Sequence, residues 1–153
     1  MRKRTKRKQW ALIDCVTHAI VGAAVTHRER LDKLRLLEYS ALEAMTKGQG
    51  TVTDWRVLVD VLNLSETMAR HNIGKDEVMP VCQKAQQALH EAAERYQKTM
   101  KMGLSGEGIQ AVRDLIEYAD LQQSSIARAD FEKYIQKTKD YIRSNGNLVV
   151  EIT

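Results

Sequence analysis

The stretch Thr51–Ile73, TVTDWRVLVDVLNLSETMARHNI, decides the fold of this chain. Its apolar residues recur at steps of three and four and form two adjacent stripes, Trp55, Leu58, Val59, Leu62 and Ala69 in one and Val57, Val61, Leu64 and Met68 in the other. The remaining polar residues form one narrow polar seam: Arg56, Asp60, Asn63, Thr67 and Arg70. The β-branched residues favour a strand locally, but the length and the single seam favour a helix with neighbours on two sides.

The composition is typical of an all-helical protein of one domain. The chain has 153 residues, 43% of them hydrophobic, and a single proline. A chain of this length can bury roughly 70% of its unfolded surface. We therefore predict an all-α fold, a single helical bundle of four to five helices around a buried central helix at 51–73, in one domain over residues 10–153.

Helices are predicted on both sides of the central one. Thr26 and Glu29 can form a capping box that starts a helix ending at Gly48. Gly74 is expected at the left-handed position that ends the central helix. The next helix should begin between Asp76 and Pro80, because proline is tolerated in a first turn.

The second half of the chain predicts two more helices. Ser105 can cap a helix that reaches about Gln123, and Phe131 opens the last one. Residues 124–129 fit either a break or a continuation, and residues 10–24 fit either a short helix or an irregular apolar strap. The C-terminal sequence NLVVEIT is strand-like and is expected to form a short extended tail or to pair with another protein.

The basic residues are concentrated at the N-terminus. Six of the first eight residues are basic: Arg2, Lys3, Arg4, Lys6, Arg7 and Lys8. Removing these six from the 24 basic residues leaves 18 against 20 acidic residues, a net charge of −2 for the remainder. Residues 1–9 are predicted to be a disordered arm, which together with Trp10 could bind the phosphates of DNA or RNA, contact an acidic protein or only aid solubility.

The polar seam has two interpretations. It could line a functional groove, or it could be the exposed edge of the central helix. The second interpretation is the simpler one, because a helix at the surface of a bundle commonly keeps one polar edge.

No motif in the chain predicts catalysis, a cofactor or a metal. The sequence His90-Glu91-Ala92-Ala93-Glu94 resembles a zinc-protease helix, but Glu94 stands where a second histidine is required. Cys15 and His18 could both touch a metal but have no second pair. Gly103, Gly106 and Gly108 lack the strand and the lysine of a phosphate-binding loop. We therefore expect a protein that is not an enzyme.

The two cysteines, Cys15 and Cys82, lie in apolar contexts, which favours reduced, buried thiols in an intracellular protein. The apolar segment 10–25 is interrupted by polar residues and does not read as a secretory signal. No run approaches the ~18 apolar residues of a membrane span. We expect no membrane contact and a cytoplasmic location in a bacterial host cell.

Several short motifs carry a resemblance to a known group of proteins: the basic MRKR start, the run Gly48-Gln49-Gly50-Thr51, the pair Asp54-Trp55 and the pair Ile73-Gly74. In these motifs the chain resembles small uncharacterised all-helical accessory proteins carried by phages and prophages of proteobacteria. The resemblance implies a phage accessory role, such as binding and inhibiting or redirecting a host machine, including defence systems such as CRISPR. It transfers no functional residues.

Two functions follow as hypotheses. The first is a non-enzymatic interaction protein, encoded by a phage or mobile element, that binds and modulates or inhibits a host protein or protein complex. The alternative is a nucleic-acid-binding accessory protein that uses the basic arm. The strand-like tail and the alanine-rich helix faces would also permit a homodimer.

Overall fold

The computed structural model describes residues 28–145, and the regular elements within that range are all helices. They are α1 (28–46), α2 (Val52–Arg70), α3 (Lys75–Thr99), α4 (Gly106–Ser124) and α5 (Arg128–Asn145). The predicted all-α class is therefore confirmed. The predictions for the arm 1–9, the strap 10–24, the Thr26 cap and the C-terminal tail lie outside the described residues.

The chain divides into two compact units, residues 1–33 and residues 34–153. The packing described below is that of residues 34–145. None of the helices between residues 28 and 145 combines the length and the apolarity that crossing a membrane requires.

From the sequence, either Thr51 or Thr53 is expected to cap helix α2, and the structure places Thr51 there. The Thr51 hydroxyl accepts a hydrogen bond from the Asp54 amide, and the Asp54 carboxylate accepts one from the Thr51 amide at 2.8 Å. This reciprocal pair satisfies two amide groups that the helix itself cannot. It also places a negative charge at the positive end of the helix.

The end of α2 differs from the prediction. Asn72, and not Gly74, occupies the left-handed position after the last turn, with φ of 67°. The Ile73 amide donates to the Met68 carbonyl at 3.0 Å and the Asn72 amide to the Ala69 carbonyl at 2.9 Å, which is the Schellman pattern. Asparagine tolerates this conformation, so the left-handed residue comes two positions before the glycine and the helix ends at Arg70.

Gly74 instead starts α3, and this moves Pro80 into the helix. Gly74 is the left-handed N-cap residue, and Asp76 and Glu77 lie in the first turn, where their charge complements the helix dipole. Pro80 is therefore inside the helix and not in its first turn. Since the hydrogen bond that proline removes would reach only Asp76, near the helix start, the helix continues through it.

The ambiguous segment 124–129 is a break. Ser105 caps α4 by accepting a hydrogen bond from the Gly108 amide at 3.1 Å, as predicted. The helix ends at Ser124, and the Ser125 hydroxyl donates to the Gln122 carbonyl at 2.7 Å. α5 then begins at Arg128.

Helix α2 packs against α3, α4 and α5. The Trp55 side chain is 2% exposed, and its indole nitrogen donates to the Leu89 carbonyl of α3 at 2.9 Å. One cluster of buried apolar side chains draws on α1, α2, α3 and α4 and includes Met45, Trp55, Leu62, Leu89 and Leu115. That α2 organises the whole domain stays a prediction, for which Trp55 provides the test.

Two loops cross at one end of the helices. The Gly50 amide donates to the Met102 carbonyl, and the Leu104 amide donates to the Met45 carbonyl, both at 3.1 Å. A Cβ atom on Gly50 would lie 2.4 Å from the Met45 sulfur and 3.2 Å from the Met102 oxygen. A side chain at position 50 would therefore displace the buried Met45 side chain and press against the Met102 carbonyl, which favours glycine there.

Candidate interaction surfaces

The polar seam of α2 is not a uniform exposed edge. Arg56 and Asp60 are exposed, but Asn63 and Thr67 are only 3% and 2% exposed, and Arg70 is intermediate. The Thr67 hydroxyl is satisfied within the helix by donating to the Asn63 carbonyl at 3.0 Å. The prediction of an exposed seam is therefore wrong for its C-terminal half, because that half is covered by packing against neighbouring structure.

Contacts with α5 explain part of this burial. The Arg70 guanidinium lies 3.9 Å from the centroid of the Tyr141 ring and pairs with Glu66 at 2.7 Å. The rings of His71 and Tyr134 are 5.5 Å apart. Partial burial raises the pKa of Glu66, and the neighbouring Arg70 opposes that rise. These contacts hold α5 on α2, so we assign this half of the seam a structural role.

Helices α1 and α4 meet through a partly buried ionic cluster. Arg35 pairs with Asp120, and its Nη2 atom donates to the Ser124 hydroxyl at 2.8 Å. Beside this pair Glu38 is only 2% exposed. Burial raises the pKa of Glu38 from 4.5 to about 7; the charge of Asp120 adds to this rise and the charge of Arg35 opposes it. Burial and the carboxylates of Glu117 and Asp120 also raise the pKa of Tyr39.

The same pair of helices exposes large apolar side chains. Leu36 is 74% exposed and Leu37 is 52% exposed on α1, and Leu121 is 66% exposed on α4. Leu36 follows Arg35 and Leu121 follows Asp120, so each leucine projects about 100° around its helix from the residue that forms the ion pair between the helices. Leu36, Leu37 and Leu121 are called the leucine surface below. The sequence predicts that Leu37 and Ala44 lie beside the apolar stripe of α1, which consists of Leu31, Leu34, Ala41, Leu42 and Met45. The structure corrects this for Leu37, because the neighbouring Glu38 takes the buried position.

A groove lies between α3 and α4. Its volume is about 440 Å³, and it is lined by Lys84, Gln87, Ala88, Glu91, Ser105, Glu107, Gly108, Gln110, Ala111 and Asp114. The α3–α4 groove is therefore built from the exposed side chains of two helices and from the N-cap of α4. No local sequence pattern predicts this groove, because its two walls belong to two different helices.

The remaining motifs have ordinary structural roles. His90 and Glu94 pair with each other at 3.1 Å on α3. Gly103 lies in the loop that crosses the 48–50 turn, where a Cβ atom would be 3.0 Å from the Gly48 Cα. Cys82 is buried and free, and burial raises the pKa of its thiol to about 11. No group of three or more metal-ligating side chains occurs between residues 28 and 145.

The residues proposed for partner or nucleic-acid binding at the N-terminus lie outside the described range. These are Arg2, Lys3, Arg4, Lys6, Arg7, Lys8 and Trp10. Their role stays a prediction from charge alone.

Comparison of the chain with protein-family models, with curated proteins and with solved structures finds no match. We therefore infer the function from the surfaces described above.

Proposed function

We propose that this chain is a non-enzymatic interaction protein, encoded by a phage or mobile element, that binds a host protein or assembly and modulates or inhibits it. A bacterial defence system such as CRISPR is one class of target that this role would include. The observation that carries the proposal is the leucine surface.

Three large, exposed leucines on the two helices that Arg35 and Asp120 join are the basis for proposing a binding site here. Single apolar residues at a surface are common, but apolar side chains grouped beside polar ones mark contact regions. Burying a leucine side chain contributes about 1.5–3 kcal/mol, so residues as exposed as Leu36 and Leu121 leave a large free energy for a partner to gain. The Arg35–Asp120 pair, whose residues precede Leu36 and Leu121 in sequence, supplies polar groups of the kind that commonly surround an apolar contact.

The test is capture of a partner by the full chain from lysate of a proteobacterial host. The variant L36S/L121S should lose a stoichiometric complex that the natural chain retains. M100S is the matched control, since Met100 is 71% exposed but lies in the loop after α3. A complex that survives L36S/L121S would refute the role of this surface, and the absence of any stoichiometric complex would refute the proposal itself.

A second candidate is nucleic-acid binding, which the concentration of basic residues in the first eight positions favours. A flexible basic arm binds phosphates by releasing counterions, so affinity should fall steeply with salt. Binding to a generic duplex and a generic single strand should be compared for the full chain and for a chain lacking residues 1–9. Affinity that does not depend on the deletion would refute this candidate.

A further inference from the structure

The two halves of α1 are held in the bundle by different side chains. Between residues 34 and 40 the one buried side chain is Glu38, which is 2% exposed, and every other side chain there is half-buried or exposed. The following half differs, because Ala41, Leu42 and Met45 are all buried in the apolar core. The first half of the helix therefore has an acid where the second half has apolar packing.

Glu38 is buried without a partner. It forms neither a hydrogen bond nor an ion pair with the residues that the structure describes. The charged groups that face it are Asp120 of α4 and Arg35 of its own helix, and Arg35 is already paired with Asp120. Glu117 of α4 and the Tyr39 phenol belong to the same cluster. An ionised Glu38 would therefore add a carboxylate to a cluster whose single cation is already engaged.

The protonation of Glu38 decides whether this half of the helix can stay in place. A buried charge without a partner loses its hydration, so the ionised form favours any conformation that returns it to water. The pKa of Glu38 is about 7, raised by burial and by Asp120, so the group changes its charge near neutral pH. Because residues 34–40 bury no other side chain, their movement away from α4 hydrates the carboxylate and leaves the apolar contacts of residues 41–46 in place.

We propose that residues 34–40 form a latch that is closed on α4 while Glu38 is protonated and opens when Glu38 ionises. Leu36 and Leu37 lie on the latch and Leu121 lies on α4, so opening separates the two parts of the leucine surface. Partner binding should therefore weaken as the pH rises through neutrality, a consequence that rests on the proposed function.

The experiment is hydrogen exchange of the full chain at pH ~6 and ~8, with residues 34–40 resolved by mass spectrometry. The carboxyl has a pKa of about 7 in the closed state and near its ordinary 4.5 in the open state, so the opening equilibrium constant should rise about tenfold between these pH values, after correction for intrinsic exchange rates. E38Q should show no such rise. E43Q is the matched control on the same helix and should keep the full rise, because Lys47 lowers the pKa of the exposed Glu43.

Low concentrations of urea separate opening of the latch from unfolding of the whole domain. Local opening exposes little surface, so exchange at residues 34–40 should hardly depend on urea up to ~1 M, whereas exchange in the core of α2 should rise with urea. This comparison is made within the natural chain and stays decisive if E38Q does not fold.

The latch is refuted if exchange at residues 34–40 does not change with pH, if it changes equally in E38Q, or if it follows the urea dependence of α2. Lysate capture that depends on Leu36 and Leu121 would then still support the proposed function. Conversely, a latch that opens with pH in a chain that captures no partner would refute the proposed function and leave the latch standing.

Discussion

Replacing Glu38 with glutamine should stabilise the protein at alkaline pH and leave its stability unchanged in acid. Glu38 is 2% exposed and lies beside Asp120, so its charged form is disfavoured in the folded protein. The unfolded chain has no such penalty, and there the carboxyl titrates near its ordinary value. Glutamine has nearly the same shape but carries no charge at any pH.

The magnitude follows from the two pKa values. The pKa of Glu38 rises from 4.5 to about 7 on folding. The folded protein therefore holds a proton that the unfolded chain releases between these values, and the natural chain loses stability as the pH rises through that window. The loss should reach about 3 kcal/mol above pH ~8, at about 1.4 kcal/mol per pH unit. Below pH ~4 both states are protonated, and no loss remains.

The assay is urea unfolding of the natural chain and of E38Q, followed by circular dichroism from pH ~4 to ~9. The free energy of unfolding should be nearly equal at the acid end, and E38Q should become the more stable protein as the pH rises. E43Q is the control, because the hydrogen bond and charge of Lys47 lower the pKa of the exposed Glu43. Any stabilisation by ionised Glu43 is lost as the pH falls, so the pH dependence of this stabilisation is opposite in sign to that expected for Glu38.

Parallel stability curves for the natural chain and E38Q would refute this reasoning. So would an E38Q protein that is less stable at alkaline pH, since that would mean that Arg35 stabilises an ionised Glu38. D120N provides a second check. Removing the Asp120 charge should lower the pKa of Glu38 and move the window in which the curves diverge to lower pH.

Three further substitutions test the packing. W55A should destabilise the protein by about 3–5 kcal/mol in denaturant unfolding, and a loss below about 1 kcal/mol would show that α2 does not organise the core. G50A should destabilise by about 1–3 kcal/mol because its Cβ has no room; G106A, with nothing within 4 Å of the added Cβ, is the control and should not lower the melting temperature. Q122L should lose about 1–3 kcal/mol, because the Ile73 carbonyl that accepts from Gln122 at 2.8 Å would be left unsatisfied; an unchanged melting temperature would contradict this.

Local signals in the sequence were sufficient for the helices and most of their ends. In α2 the apolar period, the threonines at 51 and 53 as alternative caps and the placement of Asp54 near the start all point to a helix, and the structure has it. The Ser105 cap of α4 is equally local. These features depend on residues within one helical turn, so no knowledge of the neighbouring helices is needed to find them.

Other predictions failed where tertiary context decides. Glu38 falls on the buried stripe of α1 at helical spacing from Leu34 and Leu42, a signal that could have identified a buried carboxyl. Its charge made Leu37 the more obvious choice for the core. Burial and the Asp120 charge across the interface favour the protonated form of Glu38, and only Arg35, one turn earlier on α1, opposes this. Likewise Gly74 carries a helix-end signal, but Asn72 had already ended α2.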